Sequence, residues 1–211
     1  MKMVKKIMMF ILAGAVLIAS NLNIYGANNE VVNSSSGVLA IAKMTNLDSG
    51  ESVNVAVRSL STKAIRSADN TYTASCEVYF PIEDNNSTRD MESSTKNAGG
   101  VTATINIVYT LNAQQDKINV TRCYGGWVPD NGLYYTTNRQ VYIVPGLFSS
   151  VGLRAYPNTD SFDYSIDWGY LLRQPEGDYQ QQARSVAVIY VGSMEHAGGY
   201  ELEVELYYGG F

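Results

Sequence analysis

The chain has few of the residues that enzymes most often use for catalysis or metal binding. It contains one histidine, His196, and two cysteines, Cys76 and Cys123, in 211 residues. This count disfavours a zinc centre, since structural zinc sites draw on four Cys or His ligands. No G-x-S-x-G motif is present to supply a serine nucleophile for His196. We therefore predict a non-catalytic protein without a cofactor, and we interpret His196 as an exposed loop residue.

The chain also lacks an apolar run long enough to span a bilayer. Its N-terminal apolar stretch, Ile7–Ala19, has 13 residues, whereas a transmembrane helix needs about 20. This stretch follows Lys2, Lys5 and Lys6 and leads into small and polar residues, which is the pattern of a secretory signal peptide. We predict a signal peptide over residues 1–27, a secreted or cell-envelope location and no permanent membrane span.

Basic residues are scarce as well. Residues 1–27 hold three Lys and no Asp or Glu, so the mature chain has 12 basic and 20 acidic residues and a net charge of −8. Nucleic-acid binding depends on Lys and Arg that neutralise phosphates, and anionic membrane surfaces attract basic segments in the same way. The composition therefore disfavours nucleic acid as a partner. An extracellular glycan or an envelope protein is the partner that we expect.

What the chain has in quantity is tyrosine and β-branched residues. Sixteen Tyr lie among frequent Val, Ile, Thr and Gly, a composition typical of strands. The most regular apolar–polar alternation is found in Tyr72–Phe80, Val101–Leu111 and Tyr200–Tyr208. We predict an all-β protein of about eight to ten strands, an antiparallel β-sandwich of the Ig-like or jelly-roll-like kind. The sandwich is expected over residues 71–211, after a flexible lead-in over residues 28–70 with at most a short strand.

The two cysteines permit one intramolecular pairing, and two interpretations of it stay open. Export to an oxidising compartment favours a disulfide between Cys76 and Cys123, and the alternative is a pair of buried free thiols. The alternation set by Ile118 and Val120 turns Cys123 outward, unless a β-bulge near Arg122 reverses it. With that bulge, Cys123 lies on the buried face that also holds Cys76.

Part of the chain resembles the core of small exported β-sandwich proteins from Gram-positive bacteria. The resemblance lies in Gly100–Thr110 (GVTATINIVYT), Lys117–Trp127 (KINVTRCYGGW) and Asn138–Val141 (NRQV). It consists of strand patterning, and those proteins are largely of unknown function, so it implies a fold and export but no site residues. Cys123 occupies a position that is apolar in the family's pattern, which implies that it faces inward.

Two groups of carboxylates are candidate sites. Three aspartates lie within eight residues, at Asp160, Asp163 and Asp167, and three glutamates alternate along the last predicted strand, at Glu201, Glu203 and Glu205. Clustered aspartates are typical calcium ligands, and two carboxylates are the minimum for glycoside hydrolysis. The simpler interpretation of the aspartates is a solvated strand face. We interpret the glutamates as a solvent-facing stripe that discourages edge pairing, and the alternative is a surface for a cationic partner.

Aromatic side chains are the strongest functional candidates. Tyr and Trp are enriched at protein contact sites and can stack on sugars, although they also fill sandwich cores. The residues that we select as ligand-binding are Trp127, Tyr164, Trp168 and Tyr170. Of these, Trp168 and Tyr170 share strand parity, so on one strand they would form a common aromatic patch. We therefore predict an extracellular binding module for carbohydrate or protein. The alternatives are an envelope or matrix structural protein and, least favoured, a carboxylate-dependent hydrolase.

Overall fold

The computed structural model describes residues 32–33, 38–66, 70–82, 99–146, 151–173, 181–192 and 199–208. The predicted signal peptide and His196 lie outside these residues. The described residues form β1 (Val32–Asn33), β2 (Leu39–Asn46), β3 (Ser52–Asn54), β4 (Val57–Arg66), β5 (Thr71–Ile82), β6 (Gly99–Leu111), β7 (Lys117–Pro129), β8 (Tyr134–Val144), β9 (Leu153–Ala155), β10 (Ser161–Ser165), β11 (Leu171–Leu172), β12 (Gln182–Val191) and β13 (Tyr200–Tyr207). None of them forms a helix that is long and apolar enough to cross a membrane.

The strands form two antiparallel sheets that pack against each other. The seven-stranded sheet has the order β1-β2-β13-β12-β8-β9, and β3 also pairs with β2. The six-stranded sheet has the order β10-β7-β6-β5-β4, and β11 also pairs with β7. The predicted all-β antiparallel sandwich is therefore confirmed.

The core lies between the inner faces of the two sheets. In the central strand β6, every second residue from Val101 to Leu111 is buried, and the same alternation buries Leu202, Val204 and Leu206 of β13. Period-two alternation turns each of these sets toward the opposite sheet. Full burial of an aliphatic side chain of this size contributes about 1.5 to 3 kcal/mol, so these strands hold the sandwich together.

Residues 38–66 belong to both sheets, which corrects the predicted lead-in over residues 28–70. Strand β2 pairs with β13 along its whole length, and β4 pairs with β5. Ala40 and Ala42 of β2 are buried in the core, whereas its opposite face carries Ile41 and Lys43. The inward residues are thus small and one outward residue is large and apolar. The two faces of β2 therefore differ little in hydrophobicity, so the sequence shows no apolar–polar alternation there.

The β-bulge predicted near Arg122 is present. Val120 lies opposite Tyr109 and Arg122 lies opposite Val108, so Thr121 is the extra residue of β7. The Thr121 hydroxyl donates to the Val108 carbonyl at 3.3 Å, which fixes the extra residue. The bulge reverses the alternation of the strand. Cys123 is consequently fully buried.

The two cysteines face inward but are not bonded. Cys76 of β5 lies opposite Ile105 and Cys123 of β7 lies opposite Ile107, so β6 runs between them. Two strand spacings separate their backbones by about 10 Å, whereas a disulfide requires Cα atoms within about 7 Å. Of the two interpretations left open by the sequence, the Cys76–Cys123 disulfide is therefore wrong, and the alternative holds, since both side chains are buried free thiols.

We expect both thiols to be unreactive in the native protein. Burial raises the pKa of Cys76 and of Cys123 to about 12, and the thiolate is the reactive form. Iodoacetamide at pH 8 should leave the native protein unmodified and should alkylate both thiols after denaturation in guanidinium. Intact-mass spectrometry without reductant measures this. A denatured sample that takes up no iodoacetamide until it is reduced would contradict the prediction.

Candidate functional site

The predicted ligand-binding aromatic residues do not form one exposed surface. Trp127 is 1% exposed, and its ring centroid lies 5.4 Å from that of Phe162 inside the core. Tyr164 is half-buried and stacks on Phe162, with the two ring centroids 6.1 Å apart. Trp127 is therefore a core residue, which corrects its selection as an exposed stacking residue.

Trp168 and Tyr170 lie between β10 and β11, outside any strand. Gly169 between them has a φ of +70°, in the left-handed region. Strand parity therefore does not place the two rings on a common face. Trp168 is half-buried against the core, whereas Tyr170 is 48% exposed. Tyr170 is the most exposed of the four selected aromatic residues.

Two of the three clustered aspartates pair with arginines. Asp160 accepts hydrogen bonds from Arg139 Nε at 2.9 Å and Nη2 at 2.6 Å, and Asp163 accepts from Arg122 Nε at 2.7 Å. Within the described part of the chain, no group of three or more His, Cys, Asp or Glu is arranged to hold a metal ion. The Asp160–Arg139 pair instead ties β8 of one sheet to the segment that precedes β10 of the other.

The glutamates of β13 lie in the middle of a sheet rather than at an edge, because β13 runs between β2 and β12. Glu203 is 6% exposed and pairs with Lys43 at 3.2 Å and with Arg184 at 2.5 Å. Lys43 of β2 and Arg184 of β12 thus compensate its charge from both sides. The predicted solvent-facing stripe that protects an edge is therefore wrong at this residue.

A shallow groove of about 180 Å³ opens beside these glutamates, on the outer face of the seven-stranded sheet. We name it the Tyr142 groove after its aromatic residue, and it is lined by Tyr142, Val144, Gln182, Arg184 and Glu205. Strand register builds it. Arg184 lies opposite Tyr142 on one side and Glu205 on the other, and Gln182 lies opposite Val144. Sites that enclose a drug-sized ligand usually have a volume of about 300 to 1,000 Å³. The groove is smaller, so it suits a ligand that rests on the sheet rather than one that is enclosed.

The groove combines an aromatic ring with planar hydrogen-bonding groups. The Arg184 guanidinium lies 5.8 Å from the centroid of the Tyr142 ring. The guanidinium of Arg154, the central residue of β9, lies 5.0 Å from the same centroid and 5.4 Å from that of Tyr156. Tyr156 is 61% exposed. The aromatic surface of the groove therefore continues past Arg154 to the neighbouring chain segment.

Glu205 is the acidic group of the groove. Burial, and then the charge of Glu203, raise the pKa of its carboxyl, against the opposing effect of a hydrogen bond from Tyr207. The Tyr207 hydroxyl donates to Glu205 Oε2 at 2.7 Å, and Gln182 Nε2 donates to that hydroxyl at 3.4 Å. The Glu205 carboxyl group is therefore held by one hydrogen bond, from Tyr207, which Gln182 in turn supports.

The outer face of the six-stranded sheet carries a related arrangement. The Arg122 guanidinium lies 4.6 Å from the centroid of the Tyr124 ring, and its Nε and Nη2 both donate to Asp163. The Arg122 guanidinium holds the pKa of the Asp163 carboxyl below its usual range. This arginine is therefore stacked on a tyrosine and already bound to an internal carboxylate.

The Tyr142 groove was missed in the sequence because its residues come from three strands. Alternation shows which face of a strand a residue occupies, but not which residues of other strands lie opposite. A partial signal was present in β12, where Gln182 and Arg184 alternate with the buried Ala183 and Ser185. Without the register, this polar pair could not be connected to Tyr142.

Comparisons with protein-family models, with curated proteins and with solved structures found no match for this chain. The function is therefore inferred from the geometry of the Tyr142 groove.

Proposed function

We propose that this protein is an exported, non-catalytic carbohydrate-binding module whose ligand lies on the Tyr142 groove. The observation that carries the proposal is the row formed by Tyr142, Arg184 and Glu205 across three paired strands, on the outer face of the sheet. A sugar ring has an apolar C–H face that packs on an aromatic ring. Its hydroxyl groups both donate and accept, so they match a guanidinium, an amide and a carboxylate side by side.

The arrangement of the carboxylates supports binding rather than bond cleavage. Glycoside hydrolysis in its common forms needs two carboxyl groups that flank the scissile bond. Glu205 lines the groove, whereas Glu203 is buried and held by Lys43 and Arg184. One accessible carboxyl group suffices for hydrogen bonding to a sugar. Export, which would bring the module to extracellular glycans, rests on the signal peptide predicted over residues 1–27.

We expect Tyr142→Ala to weaken glycan binding by about tenfold or more, the equivalent of about 1.4 kcal/mol. The reason is that the ring supplies the stacking surface of the groove and lies on the outer face of the sheet, outside the core. A glycan array identifies ligands of the mature protein, and calorimetry then measures their affinities for each variant.

Tyr124→Ala is the matched control, since Tyr124 also stacks under an arginine, on the opposite sheet. It should bind glycan as the wild type does. An array without any bound glycan, with protein shown to be folded, would contradict the proposal. Equal affinities of the two variants would contradict the assignment to the Tyr142 groove. Capture of an envelope protein by the same groove, with no glycan bound, would favour a protein ligand instead.

The alternative, an envelope structural protein, is favoured by one feature of the six-stranded sheet. Strand β4 is its outermost strand and has ten residues, and within the described residues it pairs with β5 alone. An open strand edge is a template for pairing with another chain. Ile65 near its end is largely exposed. Concentration-dependent association in sedimentation experiments would favour this alternative.

A further inference from the structure

Arg154 is the arginine beside the Tyr142 groove that has no internal carboxylate. Three other arginines have one, in the pairs Arg122–Asp163, Arg139–Asp160 and Arg184–Glu203. Arg58, which lies over Tyr79 at 4.1 Å, also has no carboxylate partner among the described residues, but it belongs to β4 of the other sheet. Arg154 is exposed, and its guanidinium lies over the rings of Tyr142 and Tyr156. Among the residues that the structure describes, no carboxylate pairs with it. The guanidinium next to the groove is therefore available to a ligand.

The stacking leaves the hydrogen-bonding edge of Arg154 free. A guanidinium is planar and carries five N–H donors in its plane, so aromatic rings over its faces do not consume these donors. Tyr142 and Tyr156 also restrain the side chain, which lowers the entropy lost when a ligand binds. The acceptor that best fits such an edge is a carboxylate, which takes two parallel hydrogen bonds from it.

The chain itself contains this arrangement with the carboxylate in place. Arg122 lies over the Tyr124 ring and donates through Nε and Nη2 to the two oxygens of Asp163. Arg154 lies over Tyr142 in the same way, at 5.0 Å compared with 4.6 Å. The Tyr142 groove thus has the arginine and the tyrosine of the Arg122 site, and the ligand would supply the carboxylate.

We propose that the Tyr142 groove selects glycans that contain a uronic acid, with the sugar ring on Tyr142 and its carboxylate bound in bidentate fashion to Arg154. This inference rests on the proposed carbohydrate-binding function and names the class of its ligand. The groove's own carboxyl group, Glu205, is held by Tyr207 and lies near Arg184 at 3.9 Å, so its charge is partly compensated. The chain as a whole is acidic, with a net charge of −5. Nonspecific adsorption of polyanions is therefore unfavourable.

The test compares each uronic-acid oligosaccharide with its methyl ester, which removes the charge and keeps the sugar. Calorimetry with the mature protein should show at least tenfold tighter binding of polygalacturonate or alginate oligosaccharides than of the corresponding esters. Arg154→Gln should abolish this preference, so that each acid binds no more tightly than its ester. Arg154→Lys keeps the positive charge but lacks the pair of parallel N–H donors that binds a carboxylate in bidentate fashion. It should therefore retain only part of the preference for the acid over the ester.

Arg122→Gln is the control variant, since it removes a tyrosine-stacked arginine from the other sheet and should leave the preference unchanged. Thermal unfolding of each variant verifies that it is folded. Equal binding of acid and ester by the wild type, or equally tight binding of dextran sulfate, would overturn the inference while leaving carbohydrate binding intact. Binding of neutral glycans alone would do the same. A folded protein that binds no glycan at all would overturn the proposed function itself.

Discussion

A fragment that begins at Lys63 is expected not to fold. It lacks β1, β2 and β3 and most of β4, so the seven-stranded sheet loses three strands and the six-stranded sheet loses most of one. Without β2, the strand β13 becomes an edge and loses eight paired residues, from Tyr200 to Tyr207. The buried side chains of Val38, Ala40 and Ala42 also leave the core. The whole net stability of a domain is about 5 to 15 kcal/mol, and the loss of these strands exceeds what that margin tolerates.

The measurement is circular dichroism of two purified chains, one beginning at residue 28 and one at residue 63. The first should show strand structure and a cooperative thermal transition, and it is the control for removal of the predicted signal peptide. The second should show neither. A cooperative transition of the shorter chain within about 5 °C of the longer one would mean that residues 28–62 are dispensable, as a lead-in segment would be.

Where the two faces of a strand differ strongly, the sequence predicted the strand and its buried face. In β6, Ile105 and Ile107 alternate with Thr104 and Asn106, and the inward set is the apolar one. In β2 the difference in hydrophobicity between the two faces is nearly reversed, because the inward residues Ala40 and Ala42 are small and the outward residue Ile41 is large and apolar. Alanine fits where the two sheets approach closely, and that distance is a tertiary property. The sequence alone could not show it.

The bulge and the disulfide show that the sequence predicts what happens within one strand but not how residues of different strands are placed. The bulge at Thr121 was predictable because the change of alternation between Val120 and Cys123 is local to one strand. The disulfide could not be predicted in the same way, because a side chain that faces inward can lie on any strand of the sheet. Cys76 and Cys123 share a face of the sheet, and β6 separates them.

The candidate site depended almost wholly on register, which no local pattern specifies. Each strand of the groove showed a polar outer face, but the meeting of Tyr142 with Arg184 and Glu205 follows from pairing across three strands. Aromatic identity was equally ambiguous. Trp127 and Tyr142 are both large aromatic residues on strands, and only the packing of the sheets places the first in the core and the second on the surface.

Trp127→Ala is expected to lower the free energy of unfolding by about 3 to 5 kcal/mol, the cost typical of truncating a buried aromatic residue. The ring fills the core beside Phe162, and its backbone N–H donates to the Asp160 carbonyl at 2.8 Å. This hydrogen bond joins β7 to the segment before β10 at a close approach. A Cβ atom on Gly126 would lie 2.3 Å from the Asp160 carbonyl oxygen. The cavity left by the indole therefore opens at a point where the backbone has little freedom to collapse.

Urea unfolding followed by circular dichroism measures this loss without relying on tryptophan fluorescence. Trp127→Phe should cost less, because the phenyl ring retains part of the packing. The buried indole N–H has no hydrogen-bond partner among the described residues, so this variant loses no side-chain hydrogen bond to that part of the chain. Both variants, where folded, should bind glycan with unchanged affinity, since Trp127 faces the core and the Tyr142 groove lies on the outer face of the other sheet. A stability change below about 1 kcal/mol together with lost glycan binding would instead make Trp127 a ligand residue, as its sequence context first indicated.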